Sequence, residues 1–567
     1  MLNIDGLEIE ISNGSHDFPV IQGVSLQILK GETLALVGES GSSKSLLAHS
    51  IAGLLPKAAK LKSGSIILDS RDLLQLTDRE MNQVRGRDIA LIFQNPMTSL
   101  NPLKKIGSQI IKPIVHHQKI GRKVAKARAI EMLSDLGVKE AEKVYSKYPH
   151  QLSGGQIQRV MIACTLSCSP KLLIADEATT ALDTVVQRQV LNLLMSVQEK
   201  YGMALLFITH DLGVVAKIAD RVAVIRNGAI EELADSHSLF HSPKSSYTKA
   251  LIACRPPLTF KPSRLAVLND FYEKSKIPVS QEKKIEEQAD IFLELKNLSK
   301  TYRKDKFDFL NSHEVVALEN INLKLKAGVN LGIVGASGSG KSSLAQVMAK
   351  LIEIDSGQIV FQGRDLSQLR HEQLKDFRRR VQYLFQDSFA ALNPTLTVLD
   401  LMLEPMEIQD YGGSEQERID KVHDLLTRVG LPLSCLEKRP SQLSGGQRQR
   451  ICIARSLTLD PELLICDESV AALDVSNQAV VLNMLLQLQE ELGFSYIFVS
   501  HDLALVHFFC DELLVLDQGK IVESGAVDLI FQHGTSPVTK ALIEAIPSTY
   551  DGSMEVFREV YELPSCL

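Results

Sequence analysis

Gly335-Ala336-Ser337-Gly338-Ser339-Gly340-Lys341-Ser342 decides the reading of this chain. Small residues let backbone N–H groups close around phosphate oxygens, the lysine neutralises the β and γ groups, and the serine hydroxyl ligates Mg²⁺. Strand, loop and helix patterns fall in the right order around it, so Gly335, Ser337, Gly338, Ser339, Gly340, Lys341, Ser342 and Ser343 read as a phosphate cradle. Alone, the pattern specifies only a nucleoside triphosphate. It occurs a second time, as Gly38-Glu39-Ser40-Gly41-Ser42-Ser43-Lys44-Ser45 followed by Leu46, with Lys44 standing 297 positions before Lys341.

Other blocks recur in the same order. Phe93-Gln94 returns as Phe385-Gln386, Leu152-Ser153-Gly154-Gly155-Gln156 as Leu443-Ser444-Gly445-Gly446-Gln447, and Asp176-Glu177 as Asp467-Glu468. Thr209-His210-Asp211-Leu212 returns as Ser500-His501-Asp502-Leu503. A period of nearly 300 residues is far too long for a solenoid, so each copy is expected to be a complete domain with its own core. The expected division is residues 1–254, a linker over 255–288, residues 289–547 and a tail over 548–567 with no recognisable chemistry. The linker runs from Arg255-Pro256-Pro257 to the charged stretch at Glu282–Glu287 and lacks sustained apolar periodicity.

Composition bounds the function. The chain has 567 residues, 45% hydrophobic and 23% charged, with 62 Lys plus Arg against 68 Asp plus Glu, a formal net charge of −6. That balance predicts no nucleic-acid partner drawn by a global positive field. Eight cysteines in a chain this long argue against a secreted disulfide scaffold and for a reducing compartment. Cys164 and Cys168, at helical spacing among Ile162, Ala163 and Leu166, read as helix packing rather than metal ligands. Met1-Leu2-Asn3-Ile4-Asp5 carries an acid where a signal peptide carries bases, and no uncharged apolar stretch is long enough to span a bilayer, so a membrane role is expected to come through partners.

Within each copy, short apolar runs alternate with helical patterns, which predicts an α/β fold with a parallel sheet. Thr33–Val37, Leu172–Ala175 and Ala204–Ile208 read as buried strands that end at polar residues. Between Gln94 and Ser153 the pattern turns helical, with Val124, Ala127, Ile130, Leu133 and Leu136 predicted to form one face before Gly137 stops the helix.

Each recurrent block suggests a role. Of the paired carboxylates at a strand end, Asp176 and Asp467 are expected to hold the Mg²⁺ shell, and Glu177 and Glu468 to face the water that attacks the γ-phosphate. His210 and His501 follow the next strand, within reach of that γ-phosphate. Gln94 and Gln386 could coordinate Mg²⁺ and the water, and link nucleotide state to the helical insert. Copy one departs from the pattern at Ser43, where a Cβ enters a loop that favours glycine; either affinity and rate change or the small-for-small exchange is tolerated.

Leu-Ser-Gly-Gly-Gln, twice, each followed by an apolar strand and Asp-Glu, resembles the signature of the ATP-binding cassette family. The resemblance implies two tandem nucleotide-binding domains, each a P-loop core with an antiparallel β subdomain and an inserted helical subdomain. It also implies an internal head-to-tail pseudo-dimer with composite ATP and Mg²⁺ sites. Site one would join Lys44, Ser45, Gln94, Asp176, Glu177 and His210 to Ser444, Gly445, Gly446 and Gln447. Site two would join Lys341, Ser342, Gln386, Asp467, Glu468 and His501 to Ser153, Gly154, Gly155 and Gln156. Asp183 and Asp474 match the loop that communicates between sites, and Tyr302 the aromatic that stacks on adenine; Ile11 stands near that place in copy one.

Pro96-Met97-Thr98-Ser99-Leu100-Asn101-Pro102 and the stretch from Pro243 to Leu251 are similar to the oligopeptide, dipeptide and nickel importer group. Two cassettes fused in one chain resemble the ATPases of microcin C and glutathione importers. This implies an ATPase at the cytoplasmic face of a bacterial inner membrane, bound to two permeases and through them to a solute-binding protein. The alternative is a soluble tandem cassette acting on ribosomes, but the linker mixes Glu282, Glu286, Glu287 and Asp290 with its lysines and lacks the basic footprint for RNA. A DNA-repair cassette finds no room for a long insertion between Gln94 and Ser153.

Overall fold

The computed structural model describes residues 1–12, 16–93, 99–178, 183–273, 275–279, 291–303, 314–471, 473–546 and 554–563. Gln94, the Pro96-Met97-Thr98 stretch and the acidic end of the linker lie outside these residues.

The three runs read as buried strands are strands, at Thr33–Val37, Leu172–Asp176 and Ala204–Ile208, and every residue in them is buried. They sit in a six-stranded sheet, in the order Ala229–Asp235, Arg221–Arg226, Thr33–Val37, Ala204–Ile208, Leu172–Asp176, Ile89–Ile92. All neighbours are parallel except the first pair. Copy two repeats the order with Lys520–Ala526, Glu512–Asp517, Leu331–Gly335, Ser495–Val499, Leu463–Asp467 and Val381–Leu384. Strands covered on both faces need apolar residues at every position, which is why they read as continuous runs. Because all the parallel strands of a copy run the same way, the phosphate loop, the Asp-Glu pair and the histidine emerge at one edge.

Each copy adds a four-stranded antiparallel sheet, in copy one Asp17–Ile28, Leu2–Ser12, Ala59–Leu68 and Arg71–Asp72, in copy two Glu314–Lys326, Ile291–Arg303, Ser356–Phe361 and Arg364–Asp365. The inserted helical region of copy one comprises Ile106–Gln118, Arg122–Asp135, Ala141–Ser146 and Gly154–Leu166. Its predicted apolar face needs correction. Leu133 and Leu136 are buried and Ile130 half-buried, but Val124 is 60% exposed and Ala127 is exposed as well, and the packed face is instead Ala125, Ala129, Met132 and Leu133. Two alanines one turn apart allow the neighbouring helices to approach closely, which a valine stripe would not. Gly137 ends the segment at φ +70°, as expected of a residue that reverses the chain.

The connecting segment and the tail carry structure that their short elements hid. Leu268–Glu273 is a helix, Ile277–Pro278 a strand, and Met554–Val560 a helix leading into the strand Tyr561–Glu562. The two short strands pair in parallel, so the end of copy two's chain returns to pack on copy one. Phe260, Phe557 and Tyr561 form an aromatic cluster with centroids 5.3–5.9 Å apart, and share a core with Tyr247, Leu251 and the copy-one sheet. Elements of two to seven residues leave no periodicity to detect, so sequence patterning misses them. Cys164 packs at the edge of the helical-region core, and the seven described cysteines are free.

Candidate functional site

In both copies the loop after the central strand runs directly into a helix, Lys44–Ile51 and Lys341–Met348. Lys44 Nζ donates to Gly38 O at 2.8 Å, Glu39 O at 2.6 Å and Ser42 Oγ at 3.3 Å; Lys341 Nζ donates to Gly335 O at 2.9 Å and Ala336 O at 3.0 Å. Both ammonium groups curl over a ring of loop atoms, and burial lowers the pKa of each. Ser339 Oγ is buried without a hydrogen-bond partner among the described residues, an acceptor and donor left over for a ligand oxygen.

The helix-entry residue separates the copies. Gly340 lies at φ +105°, ψ 5°, and a Cβ built on it would stand 2.4 Å from Ala317 O. Ser43 sits at φ +76°, ψ 18°, closer to the left-handed well that a residue with a side chain can occupy. The serine is therefore accommodated by a local change of backbone, at the cost of a left-handed conformation.

Ser45 Oγ donates to Asp176 Oδ1 at 3.0 Å and Ser342 Oγ to Asp467 Oδ1 at 3.1 Å. Burial raises the pKa of both carboxyls, and a hydroxyl paired with a carboxylate is an all-oxygen set that suits Mg²⁺. Copy two adds Tyr383, whose hydroxyl donates to Asp467 Oδ2 at 2.6 Å. The matching position in copy one is Leu91, so Asp176 lacks that partner. Sequence reading missed Tyr383 because it lies within an apolar strand; its offset of two from Phe385 was the available signal.

Glu177 and Glu468 occupy left-handed backbone at φ +49° and +46°, each held by a bond from its N–H to the adjacent strand, at Ile208 O and Val499 O. Non-glycine residues in that region store about 1 kcal/mol or more and persist where the surroundings impose them. Gln386 Nε2 donates to Glu468 Oε2 at 2.8 Å, and His501 Nδ1 lies 3.6 Å from Oε1. In copy one His210 Nδ1 is 3.4 Å from Glu177 Oε1. The His501 interaction lowers the Glu468 pKa; burial pulls the imidazole down, and Glu468 more than offsets it, leaving His501 raised.

Ser153 and Ser444 cap the helices Gly154–Leu166 and Gly445–Leu457, each in a reciprocal box with its own Gln156 or Gln447. A Cβ at Gly154, Gly155 or Gly445 would meet nothing within 4 Å, so internal crowding does not require these glycines, and the bare helix ends are open to an anion.

The contact between copies is reciprocal. Asp474 caps its helix by accepting from Asn477 N at 2.9 Å through Oδ1, and through Oδ2 accepts from Ser40 N, in the phosphate loop of copy one, at 2.8 Å. Asp183 does the same in the opposite sense, accepting from Val186 N at 2.8 Å and from Ser337 N at 3.1 Å. Each phosphate loop is thus met by an aspartate of the other copy.

Tyr302 stands 40% exposed, its hydroxyl 3.4 Å from Ser343 Oγ and Lys300 Nζ 5.7 Å from its ring. Strand register places Ile11 at the matching position of copy one and Phe18 directly opposite it. Tyr302 pairs with Val315 as Ile11 pairs with Phe18, and the flanking pairs Lys300–Leu318 and Ile9–Ile21 correspond as well. Directly paired residues share a sheet face, so Phe18, 52% exposed, lies beside the position copy two fills with tyrosine. Sequence comparison missed it because it is on the facing strand. Gln94 cannot be placed among the described residues.

Two P-loop cores, head to tail, each bearing a Leu-Ser-Gly-Gly helix, define an ATPase of paired cassettes. A family profile described as ABC transporter matches residues 21–180 and 318–471, and the chain belongs to that family. It is 40% identical over 564 residues to the glutathione import ATP-binding protein GsiA of Salmonella choleraesuis (strain SC-B67), covering 96% of this chain and 89% of that protein. The Escherichia coli O157:H7 protein of the same name is 40% identical over 560 residues with the same coverage, and that of Escherichia coli (strain K12) is 39% identical. The ribosomal alternative gains no support from these relatives. Among the described residues, no helix is long and apolar enough to cross a membrane.

Proposed function

We propose that the chain energises solute import, with cassettes over residues 1–254 and 289–547 that close on two ATP molecules and pull on two permease subunits at the cytoplasmic face of a bacterial inner membrane. The reciprocal hold of Asp183 and Asp474 on the opposite phosphate loops carries this reading. It presents each copy's nucleotide loop to the other copy, as composite sites require.

Within each site Lys44 or Lys341 neutralises phosphate charge, and Ser45 with Asp176, or Ser342 with Asp467, would hold Mg²⁺, which would offset the charge shared by the β- and γ-phosphates. Glu468 accepts a proton from the attacking water while Gln386 and His501 orient its carboxylate; Glu177 and His210 take the same places in site one. Ser153 to Gln156 and Ser444 to Gln447 offer helix-end amides to the γ-phosphate across the interface. Tyr302 and Phe18 supply adenine platforms. Replacing either with alanine should weaken ATP binding at its own site by about 1 kcal/mol or more, the usual scale for base–aromatic stacking, read by calorimetry of a hydrolysis-deficient chain. An unchanged affinity in the Phe18→Ala chain would remove Phe18 from the site.

Permease docking fits the groove beside Gln386, where Phe385 and Ile408 are 48% and 66% exposed and Cys452, Arg455 and Leu459 form the wall. The relatives' name makes glutathione, a small peptide, the first solute to test. Vesicles carrying the chain, its two permeases and the solute-binding protein should take up glutathione only with ATP on the cassette side. Uptake of nickel instead of peptide would overturn the substrate class, and no ATP-dependent uptake of either would overturn the importer reading.

A further inference from the structure

The copies share one sheet order and nearly the same sequence of elements, so departures from their pseudo-twofold relation mark what one interface does and the other does not. Several departures converge on the phosphate loop of copy one. Glu39 stands there where copy two has Ala336, and across the interface Ser476, two residues past Asp474, stands where copy one has Val185. Ser476 Oγ donates to Glu39 Oε1. From the other side Tyr247, 1% exposed, donates its hydroxyl to Glu39 Oε2 at 3.3 Å and accepts from Glu39 N at 3.3 Å. Ala336 and Val185 carry no polar side-chain atom, so the second interface cannot form the equivalent bond.

The helix that begins just past Asp474, Val475–Leu492, also grips the connecting segment two turns further on. Asn483 Oδ1 accepts from Leu265 N at 2.8 Å and Asn483 Nδ2 donates to Leu265 O at 2.8 Å. The next residue, Ala266, donates its N–H at 2.8 Å to the hydroxyl of Tyr561, which in turn donates to Ala253 O at 3.2 Å. Ala253 ends the helix Ser246–Ala253 that carries Tyr247. One rigid helix of copy two is therefore fastened to copy one at its phosphate loop and again at the junction of linker and C-terminal segment.

We propose that Glu39, Ser476 and Asn483 are positioning residues that hold site one together through the nucleotide cycle, so that the cassettes part by opening at site two. This rests on the composite-site reading. A carboxylate separated from its donors must be resolvated or left unpaired, whereas the second interface lacks the Glu39–Ser476 bond, and there the copy-one helix Thr184–Tyr201 meets copy two through an exposed bond, from Arg188 Nη1 to Glu544 O at 3.2 Å. Nucleotide then exchanges chiefly at site two, while site one retains its own.

Electron–electron spin distances in the full chain test this, with labels on the exposed Lys57 and Ser441 across site one and on Glu353 and His150 across site two. Trapped with ATP by Glu468→Gln, both pairs should be short. After nucleotide is removed, the site-two distance should lengthen by several ångströms and the site-one distance should hold. Ser476→Val combined with Asn483→Ala should make both lengthen alike, while the conservative Ser476→Thr, which keeps the hydroxyl, should preserve the difference. Equal opening in the unmodified chain, or a persistent difference in the double variant, overturns the proposal. A long distance across either site in the ATP-trapped chain overturns the composite-site reading and this one with it.

Discussion

Glu468→Gln should lower steady-state ATP hydrolysis by about two orders of magnitude or more, the usual scale for losing a general base, while leaving ATP bound. The substitution keeps the size of the side chain and its reach to Gln386, now 2.8 Å away, but removes the oxygen that takes the proton from water. It also removes the charge that raises the His501 pKa, so the imidazole should titrate lower in the variant. Glu177→Gln should cost much less. Site one lacks the Tyr383 hydroxyl that orders Asp467, having Leu91 instead, and carries Ser43 at its helix entry. Phosphate release measured on the purified chain decides both: near-normal turnover in Glu468→Gln would refute the base, and equal losses would show that the two sites share the work.

Gly340→Ser should cut ATP affinity at site two by about tenfold or more, because ~1.4 kcal/mol of misplacement in the cradle suffices for that factor. The added Cβ would meet Ala317 O at 2.4 Å, and a main-chain atom in a paired strand cannot swing aside. Relief would require the loop to adopt the φ near +76° that Ser43 uses, moving the N–H groups that close on phosphate. The converse exchange, Ser43→Gly, should be mild or favourable, since it frees a residue from left-handed backbone at a cost of about 1 kcal/mol. Titration of each variant with ATP in a Glu177→Gln, Glu468→Gln background measures both. Unchanged affinity in Gly340→Ser would show that the geometry of this position does not govern binding.

What was legible follows from how locally each feature is encoded. A phosphate loop is one strand, one turn and one helix end in succession, so the residues that carry it are contiguous and their order can be read. The same holds for the signature helices, whose caps lie three residues from their partners. The helix Arg122–Asp135 is a harder case. Its periodicity was visible, but which face packs was decided by Ala125 and Ala129 meeting their neighbours, so Val124 points to solvent.

Phe18 and Tyr383 needed strand register before they could be proposed as site residues, because pairing across a sheet joins residues with no fixed separation along the chain. The C-terminal strand at Tyr561–Glu562 is more extreme: its partner lies at Ile277–Pro278, and neither segment has a stable conformation to announce without the other. Duplication, nucleotide chemistry and the proposed reacting groups are thus written in short contiguous runs, where neighbouring residues constrain one another directly. The inequality of the two interfaces, with Glu39 bound to Ser476 on one side and Ala336 opposite Val185 on the other, arises only when distant segments pack, because hydrogen bonding depends on proximity in space.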